Sequence, residues 1–228
     1  GASMGMQDMG LAMETLCAEG CGMAGTWYLV LTAGMAAVGI RENGTEAQKE
    51  KYLTDIATGE RNFSIGITEP EAGTNTLNVA TCAEKDGNEY VLNGQKAWIT
   101  FSDRADNMII VTRTTPLEEV DRGTDGISLF IVDMDTPGID VSPISKHGMN
   151  YSKSCEVFLE NVRVPEEDLL GEEPNAAEGP LTVPAAAAIA VERAVALGFD
   201  ELAVYGSPWA DGERRDLEVH DQALAQLR

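Results

Sequence analysis

Two short stretches hold the residues whose types and spacing suit ligand chemistry. The first is Phe63-Ser-Ile-Gly-Ile-Thr-Glu-Pro-Glu-Ala-Gly-Thr-Asn75. It opens as an apolar alternation, Phe63, Ile65, Ile67, the pattern of a strand with one buried face. It ends in a bend, where Pro70 fixes its own φ and holds Glu69 extended. Gly73 permits a close approach or backbone shape that a Cβ would forbid. Thr68, Thr74 and Asn75 then offer short polar side chains. The second stretch is Lys96-Ala-Trp-Ile-Thr100. A strand that delivers hydroxyls and free amides into a bend suits a polar, planar ligand. A loop at a sheet end is the plainer reading of the first stretch alone. Core packing is the plainer reading of Trp98, since aromatics in strands usually serve packing.

The elements that must position these residues change in texture along the chain. Residues 4–40 are rich in Ala, Met, Leu and Gly. Met9, Leu11, Met13, Leu16 and Cys17 fit one side of a helix, which Gly20, Gly22 and Gly25 interrupt. Residues 26–40 are apolar nearly all round and predict a buried helix. Thr45-Glu-Ala-Gln48 has the form of a capping box, opening a helix that runs to about Ala57. From residue 61 short alternating runs are separated by turn signals at Asp86-Gly87, Asn93-Gly94, Asp125-Gly126 and Pro137-Gly138. The runs 77–85, 89–92, 95–100, 107–114, 127–134 and 155–159 read as strands. Asn93-Gly94 reads as a hairpin between two of them. The fold class is therefore α+β: a helical segment (4–60) packed on an antiparallel β-barrel or sandwich (61–172). A linker and short tail (173–228) follow, of α/β or helical texture, with helices expected at 184–197 and 216–227 and a strand at 201–205.

The chain has 228 residues, 43% of them hydrophobic, enough for a real core. Its formal charge is −22, from 16 Lys plus Arg against 38 Asp plus Glu, which disfavours nucleic acid and anionic membranes as partners. The acidity also fits a high-salt adaptation. No apolar run is long enough for a membrane span and no secretory signal is visible. Gly1-Ala2-Ser3 ahead of Met4 reads as an expression scar. Cys17, Cys21, Cys82 and Cys155 read as reduced and mostly buried, and neither they nor His147 and His220 have metal-ligand spacing. A cytoplasmic, metal-free protein is the expectation.

In order and at plausible spacings, these landmarks resemble the acyl-CoA dehydrogenase family of flavoproteins, from about Met6 to about Glu172. Gly44-Thr45, Gln48-Lys49, Tyr52-Leu53 and Gly59-Glu60 resemble the helix before that family's β-domain. Ile67-Thr-Glu-Pro-Glu-Ala-Gly-Thr74 resembles its first signature and Gly94-Gln-Lys-Ala-Trp-Ile-Thr100 its second. Asp135-Thr-Pro-Gly138, Phe158-Leu-Glu-Asn-Val-Arg-Val-Pro165 and Leu169-Leu-Gly171 are further landmarks. The resemblance implies an FAD-dependent oxidoreductase of fatty acid metabolism that oxidises an acyl-CoA thioester to an enoyl-CoA. It implies cofactor contacts from Ile65, Ile67, Thr68, Gly73, Thr74, Trp98, Ile99 and Thr100, with Thr74 also near the substrate. Thr68 would bond the pyrimidine part of the isoalloxazine ring, Trp98 would cover one ring face, and Thr100 would lie near N5. The implied partners are an acyl-CoA substrate, an electron-transfer flavoprotein as acceptor, and a homo-oligomer. The nearly all-apolar segment 27–40 must also be covered, and with its natural cover missing it predicts association with a partner chain that completes the site. Ile65, Asn75, Phe101 and Ser102 depart from the family's usual residues.

The family's C-terminal helical bundle, which carries its catalytic Glu, has no recognisable counterpart after Gly171. Glu192, Glu201 and Glu218 read as surface charge, so no catalytic residue is assigned. On this reading the chain is truncated or recombined, and its own activity is open. The alternative is a non-catalytic module, derived from the same family, that binds acyl-CoA or a protein partner.

Overall fold

The computed structural model describes residues 6–171, apart from 74, 122 and 124. The expected helices and strand of the tail, with Glu192, Glu201 and Glu218, lie outside the described residues.

The N-terminal part is helical. Helix α1 (Met6–Ala18) is followed by α2 (Gly22–Leu29), a π-helical stretch (Val30–Ala36) and α3 (Ala37–Asn43). Helix α4 (Glu46–Thr58) starts at the expected capping box: Thr45 Oγ1 accepts from the Gln48 amide and Gln48 Oε1 accepts from the Thr45 amide. Gly59 ends it in the left-handed conformation, φ 78°. The Gln48 side chain also ties this helix to the far end of the sheet domain. Its Nε2 donates to the carbonyls of Glu167 at 2.7 Å and Leu169 at 2.8 Å.

The expectation of a fully buried helix at 26–40 is corrected. Leu31, Thr32, Ala36 and Ile40 are buried, but Trp27 and Met35 face outward. The apolar side of α1 is likewise open, with Leu11 and Leu16 exposed. All four cysteines are free, yet Cys17 and Cys21 are exposed and only Cys155 is buried, so they are not mostly buried as expected.

Seven strands form one curled mixed sheet: β1 (Phe63–Gly66), β2 (Cys82–Asp86), β3 (Glu89–Thr100), β4 (Asn107–Arg113), β5 (Ile127–Asp133), β6 (Ile139–Pro143) and β7 (Ser154–Pro165). The order is β1-β4-β2-β3-β7-β6, with β5 on β4. Most pairings are antiparallel, as expected; β1 and β2 run parallel to β4. Strand β4 is buried along its whole length, and its alternation sorts side chains between two cores. Met108 and Ile110 enter the sheet's interior with Tyr90, Leu92, Ile99, Phe130 and Val157. Ile109 faces the helices with Ala36, Ile40, Tyr52, Phe63 and Ile131. That second cluster seats the helices on the sheet.

Several expected boundaries moved. Asn93-Gly94 is not a hairpin: β3 runs through it unbroken, and the turn lies at Gly87-Asn88, with Asp86 paired to Glu89. Gly94 has φ 152° and a Cβ there would lie 2.7 Å from Thr81 Cα, so this glycine serves a close approach. The expected strand 77–85 starts only at Cys82, behind a 3-10 turn at Thr76–Asn78. The strand at 155–159 extends to Pro165, and β6 follows the Pro137-Gly138 turn without having been foreseen.

Candidate functional site

Two bulges shape β3 against β7. Between Leu92 and Gly94 the extra residue is on β7, where Asn161 has φ 52° and its amide donates to Asn93 Oδ1. Between Lys96 and Ile99 the extra residue is on β3 itself, because Lys96 pairs with Val157 and Ile99 with Cys155. Trp98 sits in that second bulge with φ 61°. A bulge bends the strand and re-aims one side chain. Here it turns an indole out of a strand whose neighbours point inward: Trp98 is 58% exposed, while Lys96, Ala97 and Ile99 are buried. A large aromatic held outward at a positive φ is a strained arrangement of the kind that gathers at functional sites. Phe101 also has φ 62° and packs edge-on against Tyr28, with ring centroids 6.1 Å apart.

The end of β1 meets this bulge. The Ala97 amide donates to the Thr68 carbonyl at 2.8 Å. Lys96 Nζ donates to the Ile67 carbonyl at 3.2 Å and to Glu69 Oε1 at 2.7 Å. The Lys96 side chain is fully buried and that of Glu69 is nearly so. Glu69 further accepts from the Ala80 amide (2.7 Å), the Thr81 amide (3.0 Å) and the Thr81 hydroxyl (2.6 Å). Its own amide and carbonyl close a turn with Ala72. Burial pushes the Glu69 carboxyl up, but the Lys96 ammonium and the amide and hydroxyl donors outweigh it and hold the group below its ordinary value. Burial pulls the Lys96 ammonium below its ordinary value, against the attraction of Glu69.

A second buried cation steadies the same loop from the other side. Arg113 donates to the carbonyls of Leu77 (2.6 Å), Val79 (3.2 Å), Gly123 (2.8 Å) and Asp125 (3.1 Å). Glu69 thus satisfies the amides at 80 and 81 while Arg113 satisfies the carbonyls at 77 and 79. Sequence reasoning missed both hubs. In the sequence Glu69 stands out only as the residue before Pro70 and as part of the first signature, Lys96 only as part of the second, and Arg113 not at all. A Lys and an Arg inside strand patterns, where a charge is expected to face water, were the available signal.

The structure places the expected site residues in two groups. Ile67, Thr68, Trp98 and Thr100 are at least partly accessible around the joined ends of β1 and β3. The hydroxyls of Thr68 and Thr100 have no hydrogen-bond partner among the described residues. The Ile65 side chain packs toward the helices and that of Ile99 lies in the sheet's interior, so both offer main chain only. Gly73 is exposed, and a Cβ there would meet no protein atom within 4 Å, so no contact inside the protein requires a glycine. Thr74 lies outside the described residues. One exposed indole, two hydroxyls without a partner among the described residues and a pinned loop fit a flat, polar-edged ring. A separate cavity of about 300 Å³, lined by Tyr52, Arg61, Asn107, Asp133 and Asp168, contains none of these residues. No group of metal-binding side chains occurs among the described residues, and no helix there is long and apolar enough to cross a membrane.

Comparison with known proteins matches residues 64–162 to the acyl-CoA dehydrogenase middle domain and residues 1–60 to the acyl-CoA dehydrogenase N-terminal domain. The chain is 33% identical over 173 residues to acyl-CoA dehydrogenase FadE12 of Mycobacterium tuberculosis, covering 76% of this chain and 43% of that protein. It is 39% identical over 163 residues to the probable acyl-CoA dehydrogenase YngJ of Bacillus subtilis, covering 71% of this chain and 42% of that one. Among solved structures, a glutaryl-CoA dehydrogenase from Mycobacterium smegmatis in complex with FADH2 superimposes with a TM-score of 0.61 at 31% identity, covering 70% of this chain and 38% of that one. The chain thus spans less than half the length of these relatives.

Proposed function

Because this chain belongs to the acyl-CoA dehydrogenase family, we propose that the joined ends of β1 and β3 form one wall of an FAD site serving the α,β-oxidation of an acyl-CoA thioester to an enoyl-CoA. The observation that carries the reading is Trp98, an exposed indole on a strained bulge, near the Thr68 and Thr100 hydroxyls, which have no partner among the described residues. When bound, the flavin supplies the redox chemistry by accepting the β-hydride. This chain's residues bind and orient. Main-chain groups of Ile65, Ile67 and Ile99 would line the ring. The Thr68 and Thr100 hydroxyls would hydrogen-bond its polar edge, Thr68 at the pyrimidine part and Thr100 toward N5. Trp98 would pack on the ring and keep water from it. Gly73 leaves room beside the ligand, and Thr74 serves cofactor and substrate together. The base that takes the α-proton is assigned to no residue of this chain.

The expected partners follow from the same reading. They are an acyl-CoA substrate, an electron-transfer flavoprotein as electron acceptor, and a second copy or partner chain that meets the open apolar sides of α1 and α2. The test is an absorption spectrum of the purified chain with FAD, scanned before and after adding an acyl-CoA. Flavin bands that stay with the protein support the site, and bleaching by the acyl-CoA supports the dehydrogenase. A chain that stays colourless after FAD soaking refutes the proposal. If such a chain still gives heat with acyl-CoA in calorimetry, it is a binding module without redox function.

A further inference from the structure

Lys96 has no packing reason to be a lysine. Its side chain is fully buried, and a methionine would fill the same space without a charge. Burying an ammonium group is expensive unless the partner geometry is good, so what it contacts matters. Its Nζ reaches both Glu69 Oε1 and the Ile67 carbonyl, and the next amide along β3 takes the Thr68 carbonyl. Two consecutive residues of β3 therefore grip three consecutive residues, Ile67, Thr68 and Glu69, just beyond the end of β1. This happens where the sheet ladder cannot do the work. The register with β7 skips Ala97 and Trp98, so regular strand pairing does not fix the direction of the indole. Glu69 in turn is anchored by Ala80 and Thr81, which brings a third segment to the same point.

The geometry points to Lys96 as a positioning residue: through its buried pair with Glu69, it locks the Thr68 edge and the Trp98 face into one fixed arrangement. The inference rests on the flavin reading for its purpose, but its structural content does not need flavin. Removing the ammonium frees the Ile67 carbonyl and leaves the Glu69 carboxylate facing an apolar chain, so the end of β1 and the bulge can move apart.

The test uses the full chain with Trp27→Phe and Trp209→Phe, which leaves Trp98 as the sole tryptophan reporter. Without flavin, acrylamide quenching and fluorescence anisotropy are compared between this background and the same chain carrying Lys96→Met. The expected result is a higher quenching constant and a lower anisotropy for Trp98, with the far-ultraviolet circular dichroism unchanged. With FAD, the affinity is expected to fall about tenfold, the equivalent of one well-made hydrogen bond. A folded Lys96→Met chain with unchanged Trp98 quenching and anisotropy overturns the inference. If that variant does not fold, the uncharged pair Lys96→Met with Glu69→Gln is read in the same way. If the unsubstituted chain binds no FAD, the flavin reading fails on that measurement alone, and the flavin-free fluorescence still decides the role of Lys96.

Discussion

Replacing Lys96 by Met strips a buried carboxylate of its only cationic partner within 4 Å among the described residues. Breaking a buried pair from one side costs about 3–5 kcal/mol, because the surviving charge stays desolvated. Glu69 keeps three other donors, the amides of Ala80 and Thr81 and the Thr81 hydroxyl, which argues for the lower half of that range. Glu69→Gln should cost more. It leaves the ammonium with only the Ile67 carbonyl, and it turns one acceptor into an NH2 group that faces donors. The double variant removes both charges and should be less destabilised than the two single losses added together, by about 2 kcal/mol or more. The assay is a double-mutant cycle by urea unfolding. For a chain of this size each kcal/mol moves the thermal midpoint by about 2–4 °C, so each single variant should melt roughly 6–20 °C lower. Single losses that add to within about 0.5 kcal/mol would refute the buried pair as a coupled unit.

Other consequences can be checked with the same methods. Gly94→Ala places a methyl against the Thr81 backbone at an unfavourable φ and should cost about 3 kcal/mol by denaturant unfolding, where a true hairpin glycine would cost less. Gln48→Ala removes the side-chain half of the capping box, the Gln48 Oε1 that accepts from the Thr45 amide, together with the two carbonyl contacts at 167 and 169, while the Gln48 amide still donates to Thr45 Oγ1; it should cost about 2–3 kcal/mol, beyond the ~1 kcal/mol of Thr45→Ala. Glu69 is held below its ordinary value of 4.5, so the stability it contributes is present above that value and is lost as pH falls through the lower, folded-state value. Melting curves taken across that acid window should therefore fall more steeply for the unsubstituted chain than for Glu69→Gln.

Local features were readable from the sequence because local chemistry determines them. The capping box at Thr45 and Gln48 needs only residues three apart, and strands β4 and β5 announce themselves by continuous apolar runs. The family landmarks identified the chain for a similar reason: they are short motifs in order. Asn93-Gly94 misled because a dipeptide signals permission for unusual backbone, and a bulged strand uses that permission as readily as a turn does. Gly94 is needed by Thr81, thirteen positions earlier, and no window around Asn93 shows that. The buried pair was hidden for the same reason, since Glu69 and Lys96 meet only through folding. The exposure of Trp98 depends on a one-residue mismatch between β3 and β7, which belongs to neither strand's pattern alone. The open side at Trp27 was legible as an apolar surface in need of cover, but which residues stay open, Leu11 and Leu16 of α1 among them, was not, because an apolar helix implies a cover without saying where the cover is.

The most direct measurement is a fluorescence titration of FAD into the unsubstituted chain and into Trp98→Ala. Trp98 is more than half exposed, so its loss should leave stability within about 0.5 kcal/mol and the comparison is clean. The expected result is saturable binding to the unsubstituted chain and a marked loss of affinity in Trp98→Ala. Equal binding by both, or binding by neither, would contradict the assignment of this bulge to a flavin site.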